Sequence, residues 1–411
     1  MTVTGIIAEY NPFHNGHLYQ IENARRTTGA DFVVVVLSGN FTQRGFPAMM
    51  DKFSRTEMAL RCGADIVFEL PVCFSTGSAE YFAKGAVSLL NSLNKIDYIA
   101  FGSECGDLSL LSGFADIFSD ESSAFKEALN YRLKEGISFP LARMGAVEEL
   151  YPELASDISV LSGSNNILGI EYMKALKYLH SDITPITTQR VGSDYREKRL
   201  SSNFSSAISI RQSIENECGL YMIQNQVPTE VYDILKKQLN QTYPVTINDF
   251  SKMMQYKLIS EMKTGYNSYY DVSSDLSDRI VNHLDEFTNI SDFSMELKTK
   301  EVTYTRMCRA LLHILLNLKQ DDIYRFCSLG YTQYGRVLGF RKNAAELLGQ
   351  ITESSSIPII TKLSEADTRL VNLQQLQLLQ DINASVLYFA VAANKYQMPY
   401  QNEYKRKLLK V

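Results

Sequence analysis

Apolar residues in the first half of the chain fall into short runs rich in β-branched side chains, separated by stretches in which they recur three and four positions apart. The runs at 3–8, 32–37, 66–70, 98–101 and 183–188 predict strands. The stretches at 17–28, 54–62, 78–93, 122–135 and 166–179 predict helices. Strand and helix in regular alternation give an α/β protein with a Rossmann-like open parallel sheet, whose ligand crevice lies at the C-terminal ends of the strands. After about Ser209 the texture changes. Windows at 230–239, 247–262, 276–287 and 305–318 carry helical spacing with few β-branched runs, so a mainly helical second domain follows. The expected division is 1–218 and 219–411, with 357–361 and 386–391 as short strand candidates in the second part.

With 411 residues, 45% apolar and 21% charged, the chain can bury a large core in two domains and is not a disordered tether. Its apolar runs fall far short of the ~18 residues that suggest a membrane span, and no secretory leader is visible, so a cytoplasmic protein without a membrane partner is expected. Six cysteines without a C-x-x-C pair fit a reducing compartment better than a disulfide frame. The net charge of -5 argues against a polyanion-coating protein, although the second half is slightly basic and permits a local nucleic-acid surface.

One segment carries chemistry. Ile7, Ala8, Glu9, Tyr10, Asn11, Pro12, Phe13, His14, Asn15, Gly16, His17, Leu18, Tyr19 and Gln20 run from an apolar strand through a turn into a helix, and two of the chain's five histidines stand three apart within it. Gly16 lets a ligand approach the backbone, so both imidazoles and the unpaired N–H groups of the helix start can face one anionic group. Donors held where charge builds on a leaving pyrophosphate are what nucleotidyl transfer requires. A zinc site of the H-E-x-x-H type needs a different spacing and a glutamate, and no metal site is assigned. His180, His283 and His313 lack such a setting and are expected to be packed.

The H-x-G-H string at a first strand-to-helix turn resembles the nucleotidylyltransferase superfamily. The longer string 9–17, with Ser38-Gly39-Asn40-Phe41-Thr42-Gln43-Arg44-Gly45, Glu69-Leu70-Pro71, Phe101-Gly102-Ser103-Glu104, Asn165-Asn166-Ile167-Leu168-Gly169, 206–211 and 339–342, is similar to the bacterial tRNA(Met) cytidine acetate ligases across most of the chain. That resemblance implies a two-step reaction. Acetate attacks the α-phosphate of ATP to give acetyl-adenylate and pyrophosphate, and the wobble cytidine of elongator tRNA(Met) then takes the acetyl group as N(4)-acetylcytidine.

It also implies site residues. The catalytic pair is His14 and His17 within an ATP-binding turn from Ile7 to Gln20. Gly102 could let adenosine lie on the backbone, and Arg190, after the fifth strand, suits phosphate or a stacked base. Asn165 and Asn166 either cap the following helix or contact ATP. Ser206, Ser209 and Arg211 would form a second phosphate contact, although Ala207 and Ile208 depart from the superfamily's S-[ST]-x-x-I-R pattern. The loop of Ser38, Gly39, Asn40, Gln43 and Arg44 would meet acetate or tRNA, with Lys52, Arg55 and Arg61 as a positive rim.

For tRNA the expected contacts are Arg336, Arg341 and Lys342, interleaved with Tyr331, Tyr334 and Phe340, and the tail residues Lys405, Arg406 and Lys407. Core packing and a solvated helix end are the plain alternatives for these two groups. Mg2+ is expected with ATP, and no stable protein partner is predicted. Two other readings stay open: an adenylyltransferase acting on a small phosphorylated cofactor precursor, and a non-catalytic tRNA-binding protein with a relict nucleotide pocket.

Overall fold

The computed structural model describes residues 1–190, 205–215, 219–299 and 302–411. Five parallel strands form the heart of the sheet: β1 (Val3–Ala8), β2 (Phe32–Ser38), β3 (Ile66–Leu70), β4 (Tyr98–Ser103) and β5 (Thr184–Gln189). β1 pairs with β2 in register from Val3↔Phe32 to Ala8↔Leu37, and with β4 on its other side. The full order is β5-β4-β1-β2-β3, continued by β6 (Gly335–Phe340) and β7 (Ile359–Ile360). A short strand β8 (Leu409–Lys410) also pairs with β6.

Strand order reverses between β1 and β4, and that switch point opens a crevice at their C-terminal ends. β2 is buried on both faces, with Val33 through Leu37 fully covered, as a continuous apolar run in a parallel sheet demands. Helices α1 (Asn15–Thr28), α2 (Lys52–Arg61) and α3 (Ala79–Ser92) supply crossovers between these strands. α2 starts cleanly because the Asp51 carboxylate accepts from the N–H groups of Phe53 and Ser54 at 2.9 and 3.1 Å.

The predicted strands of the first half are present with ends shifted by at most two residues. Helices Leu108–Ser119 and Phe139–Leu150 escaped the periodicity reading. The sheet also does not stop at residue 218. β6 lies antiparallel to β3, from Ile66↔Phe340 to Glu69↔Arg336, and each of its residues is buried. Its two glycines and its arginine masked it as a strand.

The 359–360 strand is real, but 386–391 lies inside a helix of 24 residues, Leu373–Tyr396. This helix is long and apolar enough to cross a membrane by length and composition, and 61% of its apolar window is buried in the fold. Its inner face carries polar groups satisfied by the sheet half. Gln377 accepts from the N–H of Gln333 at 2.9 Å, Asp381 from that of Val72 at 2.5 Å, and Tyr388 donates to the Ala48 carbonyl at 2.9 Å.

The expected positive rim is not on the surface. Lys52 and Arg55 are both fully buried, whereas Arg61 is exposed and pairs with Glu57. Arg55 donates to the carbonyls of Met50, Glu9, Ser38 and Gly39, tying the exits of β1 and β2 together. Lys52 joins Glu69, Arg336 and Glu403 in a buried cluster of two cations and two anions, in which burial opposes the Arg336 charge but the Glu403 and Glu69 carboxylates hold it on.

Candidate active site

The crevice at the switch point is a cleft of about 880 Å³. Its floor is the turn after β1. Ile7, Ala8, Glu9, Tyr10, Asn11, His14, His17 and Gln20 line it, as do Phe101, Gly102, Asn165, Arg190 and Arg211. Pro12, Phe13, Asn15, Gly16, Leu18 and Tyr19 belong to the same turn without lining the cleft; Phe13 is fully buried and supports the turn from behind.

The start of α1 explains why two histidines are needed. His14 is the residue preceding the helix, and its Nδ1 accepts from the Gly16 N–H at 3.1 Å, while the Nδ1 of His17 accepts from the His14 N–H at 3.2 Å. This is a capping box built from imidazoles. The rings stack with centroids 3.6 Å apart and planes 21° apart, and Tyr10 and Phe13 pack around His17.

An Nδ1 that accepts cannot carry the proton, so each neutral ring holds it on Nε2. Burial, then the charges of Arg190 and Arg211, pushes His14 down to about 3. Burial, then His14 and Arg190, lowers His17 well below the usual imidazole range. The site thus presents two neutral N–H donors flanked by two guanidinium groups, an arrangement suited to polyanionic oxygen ligands.

Arg190 extends the β4–β5 ladder by donating its N–H to the Ser103 carbonyl at 2.9 Å, and Arg211 reaches back to the Asn11 carbonyl at 2.6 Å. A Cβ on Gly102 would lie 3.3 Å from Arg190 Cγ, so glycine there leaves room for the arginine stem.

The two asparagines separate. Asn165 lines the cleft, but Asn166 is buried, and its side chain is committed to the N–H groups of Glu104 and Cys105 and to the Val160 carbonyl. Ser206 and Ser209 are also buried away from the cleft. Ser206 Oγ accepts from the Ser209 N–H at 3.1 Å at the start of the helix Ala207–Glu215, so their hydroxyls organise the helix that presents Arg211.

The loop after β2 divides in the same manner. Ser38, Gly39 and Asn40 pack inside, whereas Thr42, Gln43 and Arg44 line the cleft, and Gln43 donates its N–H to Glu9 at 2.8 Å. At its tip Gly45 has φ +78°, and a Cβ there would meet the backbone of Cys308 and Arg309 at 2.6 and 2.5 Å, so the loop rests directly on helix Tyr304–Leu315.

The far wall comes from the helical half: Val245, Thr246, Ile247, Asn248, Ser291, Thr305 and Arg309. Residues 245–248 form one short stretch and the other three stand singly, and no motif announced any of them. Among the described residues no group of three or more His, Cys, Asp or Glu could hold a metal ion.

The basic residues expected to meet tRNA do not share one surface. Arg336 is buried in the ion cluster, and Tyr331, Tyr334 and Phe340 are core. Arg341 donates its N–H to Asp65 at the N-terminal end of β3, so Arg341 and Lys342 sit on the sheet edge opposite the cleft. Lys405, Arg406 and Lys407 are exposed at the end of a single 3-10 turn, Glu403–Lys405, in the strap leading into β8; Arg406 lies over Phe53 and Phe389, 5.1 and 5.5 Å from their centroids.

Sheet order, switch point and the histidine pair together define an α/β nucleotidyltransferase-type fold. Comparison with known proteins narrows the class. The family model described as HIGH Nucleotidyl Transferase matches residues 1–403. The tRNA(Met) cytidine acetate ligase of Caldicellulosiruptor saccharolyticus is 41% identical over 409 residues, covering 99% of this chain and 98% of its own. That of Clostridium novyi is 37% identical over 390 residues, covering 94% and 97%. Among solved structures, Thermotoga maritima TmcAL in its apo form aligns over 100% of both chains with TM-score 0.94 and 30% identity. The structure of that protein bound with alpha-thio ATP aligns over the same span with TM-score 0.91. The chain belongs to the HIGH nucleotidyl transferase family and, within it, to the tRNA(Met) cytidine acetate ligases, which are enzymes.

Proposed function

We propose that this protein binds ATP in the cleft, activates acetate as acetyl-adenylate and transfers the acetyl group to the wobble cytidine of elongator tRNA(Met). One observation carries the reading: two neutral imidazoles, each with Nδ1 tied to backbone N–H, keep their Nε2–H groups for the cleft beside Arg190 and Arg211.

In the first step an acetate oxygen forms a bond to the α-phosphorus, and the bond to the bridging oxygen of pyrophosphate breaks. Negative charge grows on the departing group. His14 and His17 would donate to its oxygens without giving up a proton, while Arg190 and Arg211 offset its charge. Asn165 and Gly102 would border the nucleoside. In the second step the cytidine amine attacks the acetyl carbonyl, AMP leaves, and the amine loses one proton.

The cleft offers Glu9 and Glu215 as its only lining carboxylates among the described residues, so a Mg2+ accompanying ATP would be held mainly by phosphate oxygens and would help neutralise them.

The test is to incubate the protein with ATP, isotopically labelled acetate and elongator tRNA(Met), then digest the RNA and weigh its nucleosides. Labelled N(4)-acetylcytidine at the wobble position is expected. An unmodified tRNA alongside intact ATP would refute the reading.

A further inference from the structure

The turn after β4 and the start of helix Ser164–Tyr178 clasp each other through three side chains, those of Glu104, Asn165 and Asn166. Glu104 stands just beyond β4. Its Oε1 accepts from Asn165 twice, from the backbone N–H at 3.1 Å and from Nδ2–H at 2.7 Å, and its Oε2 accepts from the Asn166 N–H at 2.7 Å. Asn166 closes the clasp by accepting from the N–H groups of Glu104 and Cys105 at 2.9 and 3.1 Å.

Two consequences follow. Two of the free donors of the helix start, the Asn165 and Asn166 N–H groups, are already taken by a resident carboxylate, so this helix end is poorly suited to a phosphate. The Asn165 amide is also held one way round. With Nδ2 on Glu104, the atom left for the cleft is Oδ1, and Arg190 Nη1 lies 3.5 Å from it, at the outer limit of a hydrogen bond.

We infer that Glu104 is a positioning residue that fixes Asn165 as a hydrogen-bond acceptor for a donor on the nucleoside, either the exocyclic amine of adenine or a ribose hydroxyl. This inference rests on the nucleotide reading of the cleft. A carboxylate suits the task because it only accepts; an amide at position 104 can turn its own N–H toward Asn165 and release the flip. Phosphate oxygens and a purine 6-oxo group are acceptors and gain nothing from Oδ1.

The experiment is calorimetric binding of ATP, ITP, 2′-deoxy-ATP and 3′-deoxy-ATP to the full chain and to Glu104→Gln, Asn165→Ala and the double variant. Wild type should bind ATP about tenfold more tightly than the analogue missing the relevant donor. Loss of preference against ITP assigns the amine, and against a deoxy analogue the hydroxyl. Glu104→Gln and Asn165→Ala should each bring that one ratio close to unity, and the double variant should go no further than Asn165→Ala alone.

Equal weakening of all four nucleotides by Glu104→Gln, an unchanged ratio, or full additivity in the double variant would overturn the inference. If Glu104→Gln does not fold, Asn165→Ala decides, and an undiminished ratio there is fatal. ATP binding without discrimination in wild type strikes this inference alone, whereas no binding of any nucleotide strikes the proposed function.

Discussion

Lys52 Nζ lies 2.6 Å from Glu69 Oε1 with both side chains sealed from solvent, and Arg336 and Glu403 complete the group from distant parts of the chain. Glu403 brings in the last residues of the protein, which then pass along β6 as β8. Balanced buried charges gain little over apolar packing, but removing one partner strands the others. Glu403→Ala should therefore cost about 3–5 kcal/mol in urea unfolding. A loss below ~1 kcal/mol would mean that water enters the cluster and solvates what is left.

The stacked pair His14 and His17 makes a spectroscopic prediction before any kinetic one. Nitrogen chemical shifts should report neutral Nε2–H tautomers for both rings at pH 7, with His14 gaining a proton only near pH 3. His17→Ala should remove ~2–4 kcal/mol of transition-state stabilisation, seen mainly in kcat of acetate-dependent ATP cleavage. A fall in ATP affinity with kcat intact would recast His17 as a ground-state contact.

Stability should pass through a maximum with pH, because below pH 6.5 two buried histidines gain more from rising pH than one buried carboxylic acid loses, and above 6.5 only the loss remains. Burial pushes His14 down to about 3 and His313 down to about 4 from 6.5, so the unfolded chain takes up protons that the folded one refuses. Their contribution is full above pH 6.5 and is lost as pH falls through 4 for His313 and on to about 3 for His14. Burial, then the charge of Glu69, raises Asp381 from 3.8 to about 8, so its contribution is full below 3.8 and is lost progressively as pH rises to 8. Of these groups only Asp381 titrates differentially between pH 6.5 and 8, where stability should decline by about 2 kcal/mol. Asp381→Asn should flatten that limb in urea titrations; an equal decline in the variant would assign it to other groups.

The sequence made the five parallel strands and the turn after β1 legible because both are local. A β-branched run buried on both faces has one reading, and the H-x-G-H string carries strand, turn and helix start within a few residues. The far wall of the cleft was not legible, since Thr246, Asn248, Ser291 and Thr305 acquire meaning only when helices distant in sequence fold against the loop at Gly45. Charge misled in a consistent way. Lys52, Arg55 and Arg336 read as surface cations, yet each meets its acceptors inside the fold, in carboxylates and carbonyls supplied from elsewhere in the chain. Asn166 and Ser206 matched the expected motifs but turned out to build the elements that carry Asn165 and Arg211.

Burial also sorts the basic residues expected at the tRNA surface, and the sorting can be measured. An exposed lysine that meets a phosphate contributes to the salt dependence of binding, with a slope of about 0.7–0.9 per contact. A buried arginine contributes nothing to it. Lys405 and Lys407 are exposed on the strap before β8, so replacing both with alanine should weaken tRNA binding and flatten the plot of log Kd against log salt by between one and two contacts. Arg336→Met should leave the slope at its wild-type value while lowering the unfolding free energy, because it removes a cation from between Glu69 and Glu403. Arg341 is intermediate: 41% exposed and 3.7 Å from Asp65, it should move slope and stability together. A slope that responds to Arg336→Met but not to the lysine pair would place the tRNA on a different face of the protein.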